Sequence, residues 1–179
     1  MRIIFLRDPH PECERLATLP AAPSEVKPYR DSAFPEPPDW PWGHNSPPGC
    51  DIAYPQIHQC AGGTGTYSDP ITFATDQDEL APGTIVYYSY LHRYFIMEDD
   101  CVECDQDWNN GKAHIDLWIG GEGGDSNAVI NCEDALTQDS ADVDVNPPSD
   151  EQVDTTPLFD SSTNTCYDPG SFGPQHSRS

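Results

Sequence analysis

The sequence predicts a mainly β protein: a small closed barrel of short strands with disulfide-pinned loops. Three observations carry that expectation. Nineteen prolines and thirteen glycines in 179 residues favour turns and strands over long helices. Short β-branched and aromatic runs recur between those turns, and no helical apolar period continues beyond about three turns. Six of the seven cysteines fall between positions 50 and 166. An even set in a loop-rich acidic chain reads as three disulfides formed in an oxidising compartment, with the pairing left open. Cys13 is then the odd one.

Residues 1–49 read as a proline-rich arm or linker, extended because prolines recur throughout it (Pro35-Glu36-Pro37-Pro38, Pro47-Pro48). Trp40-Pro41-Trp42 within it is expected to dock on apolar cover. Met1–Leu6 opens like a secretory signal, but Arg7-Asp8-Pro9 ends the apolar run too early. The folded domain is expected over 50–170. After the glycine-rich stretch Ala61–Pro70 come strands at Ile71–Ala74, Thr84–Tyr88 and Arg93–Met97, the last two joined by a turn at Ser89–His92. Glu98-Asp99-Asp100 reads as a solvated acidic turn. A strand follows over Lys112–Ile119, then a short apolar element at Ala128–Ile130. Residues 135–153 are acidic and sparsely apolar and are expected to form a surface loop. Pro157-Leu158-Phe159 should return to the core, Cys166 should pin the chain, and 171–179 should form a flexible tail.

The charge balance narrows the partners. Thirty-one acidic residues against eight basic ones give a formal charge of −23. Nucleic acid and anionic membrane surfaces are disfavoured, because both require the Lys/Arg clusters that this chain lacks. Neutral polysaccharide is compatible, and so large a charge favours a soluble monomer. No run of transmembrane length is present. Cys101-Val102-Glu103-Cys104 has zinc-like spacing but no second half, so neither metal nor cofactor is expected.

The richest stretch is His114-Ile115-Asp116-Leu117-Trp118-Ile119-Gly120-Gly121. Alternation places Ile115, Leu117 and Ile119 on one strand face and His114, Asp116 and Trp118 on the other. An acid, a histidine and an indole on one face suit a sugar groove: a carboxyl group for proton transfer, a polar neighbour to orient it, and an aromatic platform. The plainer account is a strand end whose Asp meets a glycine turn. Asp116 is the candidate general acid. Asp69 is the candidate base, although an Asx turn before Pro70 also accounts for it. Asp99 is a candidate modulator of Asp116. Tyr67, His114 and Trp118 are the candidate substrate-binding residues.

Thr66-Tyr67-Ser68-Asp69, followed by His114-Ile115-Asp116-Leu117 and Gly120-Gly121-Glu122-Gly123-Gly124, resembles the paired motifs of the double-psi β-barrel superfamily. That group holds expansins, loosenin-like proteins and family 45 endoglucanases. Leu80–Tyr87, Glu98-Asp99 and Ile115–Trp118 are also similar to the three-aspartate domain found in a bacterial lytic transglycosylase family, which maps its acids to Asp76 or Asp78, Asp99 and Asp116. The resemblance covers about residues 60–136. The Trp-Asp-Cys-Cys-type sequence of family 45 enzymes is missing, and the region after Cys132 has no counterpart. The resemblance implies a six-stranded double-psi β-barrel and a secreted carbohydrate-active protein. Its expected partner is cellulose, chitin or peptidoglycan, cleaved by acid/base chemistry at Asp116. The alternatives are a non-catalytic expansin- or loosenin-like glycan binder, or a secreted interaction protein on a barrel scaffold. Inverting hydrolysis would need a second carboxyl roughly 6.5–9.5 Å from the first; a lytic transglycosylase would need only one.

Overall fold

The computed structural model describes residues 2–5 and 52–171. The proline-rich arm over 8–49 with its tryptophan pair, Cys13 and Cys50, and the tail past Ser171 lie outside the described residues. Six strands make one mixed sheet: β1 (Arg2–Phe5), β2 (Ile71–Ala74), β3 (Ile85–Tyr88), β4 (Arg93–Asp99), β5 (His114–Leu117) and β6 (Asp144–Val145). Their spatial order is β1-β5-β2-β4-β3-β6. The sheet curls into half a barrel, with β1 and β6 at its two edges. A two-stranded ribbon, β7 (Phe159–Asp160) and β8 (Thr165–Cys166), stands apart from it. The architecture is therefore mainly β with disulfide-pinned loops. Arg2–Phe5, which composition assigns to the arm, instead runs parallel to β5 as an edge strand.

The strands follow the expected chemistry. β3 and β4 pair antiparallel, from Ile85↔Ile96 to Tyr88↔Arg93. The turn between them places His92 at φ 53, a left-handed position that His tolerates better than a β-branched residue would. β2 lies parallel to β4 and antiparallel to β5, so it forms the centre of the sheet. One face of the sheet is the apolar core: Phe73, Phe95, Met97, Ile115 and Leu117 are fully buried and join Val86, Ile119, Leu136 and Leu158 in one cluster.

The other face carries the polar groups, and a bulge shapes it. The β2–β4 register runs Thr72↔Ile96 and Phe73↔Met97, then jumps to Ala74↔Asp99. The extra residue turns Glu98 and Asp99 to the same side as Thr72 and Ala74. Ala74 also pairs with Asp116 on β5. Asp99, Ala74 and Asp116 thus lie in one row across three strands.

Two helices depart from the sequence expectation. α1 (Val102–Asn109) follows β4 directly. Its content of acids, Gln and Asn shows no apolar stripe, and its start is set by Cys101, whose sulfur accepts from the Cys104 N–H. Ala128–Ile130, expected as a short apolar element, belongs to α2 (Ser126–Leu136). Asp125 caps that helix by accepting from the Ala128 N–H at 3.0 Å, and Cys132 on its buried side bonds to Cys166.

The acidic segment 135–153 is not a free excursion. It contributes β6 against β3, and tyrosines hold the chain beyond it. The Tyr94 hydroxyl donates to the Pro148 carbonyl at 2.6 Å and accepts from the Glu151 N–H at 2.8 Å. The Tyr87 hydroxyl donates to the Gln152 carbonyl at 2.6 Å. The return at Leu158 and Phe159 and the pinning of Cys166 match the sequence expectation.

Candidate functional site

The described side chains form three polar arrangements. The first lies on β5 beneath α1. Asp116 is 8% exposed. Its Oδ1 meets His114 Nε2 at 3.3 Å, and its Oδ2 lies 3.2 Å from Cys101 Sγ. Cys101 is bonded to Cys104. A disulfide sulfur carries no hydrogen, so this last approach is a close contact and not a donated bond. The disulfide packs on Ala74, between Asp99 and Asp116. His114 is fully buried; its Nδ1 reaches Asp107 Oδ2 at 3.1 Å, and its backbone N–H donates to Glu79 at 3.0 Å. Sequence alternation placed His114 and Asp116 side by side, and they touch. The cover over them is long-range and has no signature in the β5 sequence.

Asp99 shares the row with Asp116, two strand spacings away, or roughly 9–10 Å between backbones. Its Oδ1 accepts the Ala53 N–H at 2.8 Å. Cys101, Cys104 and Asp116 together offer ligand atoms within 4.8 Å of one another. The two sulfurs are joined, which removes them as thiolate ligands.

The second arrangement centres on Glu98, which composition reads as part of a solvated turn. It is fully buried. Oε1 accepts three backbone N–H groups, from Gln56 at 3.0 Å, Ile57 at 2.7 Å and His58 at 3.0 Å. Oε2 meets His58 Nδ1 at 2.7 Å and accepts the Thr72 hydroxyl at 3.0 Å. The other ring nitrogen of His58 meets Asp69 Oδ1 at 3.1 Å. Burial alone would raise the Glu98 pKa, but those donors outweigh it and hold the carboxyl below its ordinary value. Burial likewise opposes charge on His58, yet the two carboxylates raise its pKa. Asp69 is held low, first by its bonds to Thr64 and then by His58. Its Oδ2 accepts the Thr64 N–H, and its carbonyl accepts from both Thr64 and Gly65. Asp69 therefore closes a turn and clamps a histidine; it belongs to this set and not to the Asp116 row. Tyr67, 40% exposed, sits edge-on to Tyr94 with ring centroids 5.2 Å apart.

Sequence reasoning passed over His58 and Glu98. The available signal was an acid ending the otherwise apolar run Arg93–Met97. Its donors lie about 40 residues earlier in irregular chain, where no pattern marks them.

The third arrangement is a solvent-facing cleft of about 210 Å³. Its walls are the Gly62–Thr64 loop, Trp118 at the end of β5 and the Pro157–Phe159 segment, with Arg93 in its floor. Arg93 is 1% exposed; its guanidinium stacks on the Tyr167 ring at 4.7 Å, while Nε and Nη2 have no hydrogen-bond partner among the described residues. Of the residues expected to bind substrate, only Trp118 lines this cleft.

These features define a mainly β, disulfide-braced half-barrel with a buried acid–histidine pair and a small aromatic cleft. The chain belongs to the DDB_G0273701 N-terminal domain family, whose model matches residues 39–167. It is 46% identical over 125 residues to the Dictyostelium discoideum protein named "Uncharacterized protein DDB_G0273701/DDB_G0273221". That match covers 69% of this chain and 55% of the relative, so the chain spans about half the length of the curated relative it matches. No solved structure matches the chain. No helix among the described residues is long and apolar enough to cross a membrane.

Proposed function

We propose that this chain is a secreted carbohydrate-active protein of double-psi β-barrel type that binds a wall polysaccharide in the cleft beside Trp118. The carrying observation is that cleft: the Trp118 indole lines one opening together with Gly63, Thr64 and the exposed Thr155. Sugars take this mixture well, offering a CH face to the ring and hydroxyls to the polar rim. The parallel pairs β1–β5 and β2–β4 within a mixed sheet support the double-psi reading. The disulfides among the described residues are compatible with secretion.

Binding without cleavage is favoured over acid/base hydrolysis by the surroundings of Asp116. A general acid must reach the glycosidic oxygen, whereas this carboxylate is 8% exposed, turned to His114 and roofed by a disulfide. Asp69, its expected partner base, is engaged by His58 and Thr64.

The test is co-sedimentation of the oxidised protein with cellulose, chitin and peptidoglycan, with Trp118→Ala beside it and release of reducing ends or anhydro-sugars measured in parallel. Retention on one glycan, weakened about tenfold by Trp118→Ala through lost apolar contact, with no products, is the expected result. No retention on any of the three would end the proposal. Products that vanish in Asp116→Ala would replace it with the enzymatic reading.

A further inference from the structure

The buried group at α1 has a composition that glycan binding does not use. Cys101 and Cys104 are joined at the first turn of a helix, with Cys101 as its cap. The Cys104 N–H points at Cys101 Sγ from 3.1 Å. A sulfur so placed feels the helix N-terminus, which favours a thiolate there when the bond opens. Asp116 Oδ2 lies 3.2 Å from that sulfur. From Asp116 a continuous chain leads outward: Oδ1 to His114 Nε2 at 3.3 Å, then His114 Nδ1 to Asp107 Oδ2 at 3.1 Å. The Asp107 side chain is 18% exposed, whereas His114 is sealed. A carboxylate, an imidazole and a second carboxylate in line from a buried sulfur to the surface make a proton path. The sequence separation of three also means that this bond closes little chain and constrains the unfolded state far less than Cys132–Cys166, which spans 34.

We propose that Cys101–Cys104 is a redox-active disulfide that exchanges with a dithiol, its protons carried by Asp107, His114 and Asp116. A thiolate of the incoming dithiol attacks Cys101 Sγ, the less buried of the two sulfurs by residue exposure, 7% against 0%. The Cys101–Cys104 bond breaks and Cys104 leaves as a thiolate, giving a mixed disulfide at Cys101. The second thiolate of the reagent attacks its own bound sulfur, closes a disulfide within the reagent and releases Cys101 as a thiolate. The reagent's two thiol protons enter water as it ionises, and Asp107, which meets that water, relays two protons through His114 and Asp116 to the departing thiolates. Two electrons and two protons pass from the dithiol to the protein, leaving two thiols here and one disulfide there. Charge and shape around the mouth select the partner. Asp100 and Glu103 are exposed beside it, and Val102 is 68% exposed next to Cys101. A neutral or cationic thiol, carried by an apolar or basic protein segment, fits there; an anionic thiol is repelled.

The test exposes the folded protein, without denaturant, to dithiothreitol in limiting amounts. Samples are quenched by alkylation and mapped by mass spectrometry, with far-UV circular dichroism recorded alongside. Cys101–Cys104 is expected to open at least about tenfold faster than Cys132–Cys166 with the spectrum unchanged, and cysteamine should open it faster than mercaptoethanesulfonate. Asp116→Asn should slow opening about tenfold, the low end for losing a positioned proton donor. Asp107→Asn, a change at the surface end of the path, should slow it in the same direction and serves if Asp116→Asn does not fold. Opening of both disulfides together, or only once the spectrum collapses, would overturn the proposal. Rates indifferent to both substitutions would overturn the proton path.

Discussion

Glu98→Gln tests whether the charge of Glu98 is what holds residues 52–58 onto the sheet. Gln keeps the shape and one carbonyl oxygen, so the three backbone N–H bonds on Oε1 persist as neutral ones. Hydrogen bonds to a charged acceptor contribute about 1.5–3 kcal/mol and neutral ones about 0.5–1.5, so each of the three loses about 1 kcal/mol. On the other side, Thr72 can adapt, since its oxygen already accepts the Gly62 N–H, while the His58 imidazolium loses its closest anion. Water reaching the partly exposed 56–58 backbone returns some of this, which leaves a net cost of about 3 kcal/mol, or roughly 10 °C in Tm for a domain of this size.

The pH dependence follows from the two shifts. His58 has a raised folded pKa, so its contribution is complete below the ordinary 6.5 and is lost as pH rises through the higher folded value. Glu98 has a lowered folded pKa, so its contribution is complete above the ordinary 4.5 and is lost as pH falls through the lower folded value. The pair is fully stabilising between those two ordinary values. Urea unfolding monitored by circular dichroism, disulfides intact, at about pH 5.5 and about pH 9, should show the Gln variant destabilised most at the lower pH. A cost below about 0.5 kcal/mol at the lower pH, or one that grows as pH rises, would refute the reasoning.

Two further substitutions probe how loops seat on the sheet. Gly63 has φ +105, and a Cβ there would run into the Pro70 carbonyl and approach Ile71 Cα to 2.8 Å; Gly63→Ala should cost more than about 2 kcal/mol in urea unfolding, and a neutral result would mean the loop does not press on β2 this way. Tyr94→Phe removes the hydroxyl that bonds Pro148 and Glu151; a loss of about 1–2 kcal/mol with faster proteolytic nicking near 146–152 is expected, and unchanged cleavage would show the acidic segment to be held by β6 alone.

Local chemistry determined the parts of this protein that depend on neighbours in sequence. The β-branched and aromatic runs marked β2 to β5, because alternation and turn residues act over a few positions. The juxtaposition of His114 with Asp116 was legible for the same reason: residues two apart on a strand share a face. The cysteine count announced disulfides without their pairing. Tertiary structure decided everything that depends on who lies opposite. Glu98 reads as one more acid in a row of three until residues 56–58 bring their N–H groups to it. Asp116 reads as an accessible acid until the helix after β4 folds its disulfide over it. A single bulge between Phe73 and Ala74 sets which acids share a face, and its position rests on pairing between strands more than twenty residues apart. The acidic segment 135–153 looked free because its own side chains offer little to bury; it is ordered by hydroxyl groups of Tyr87 and Tyr94, which belong to other strands. An acid's role depends on desolvation and on the donors that reach it, and both are supplied by chain distant in sequence.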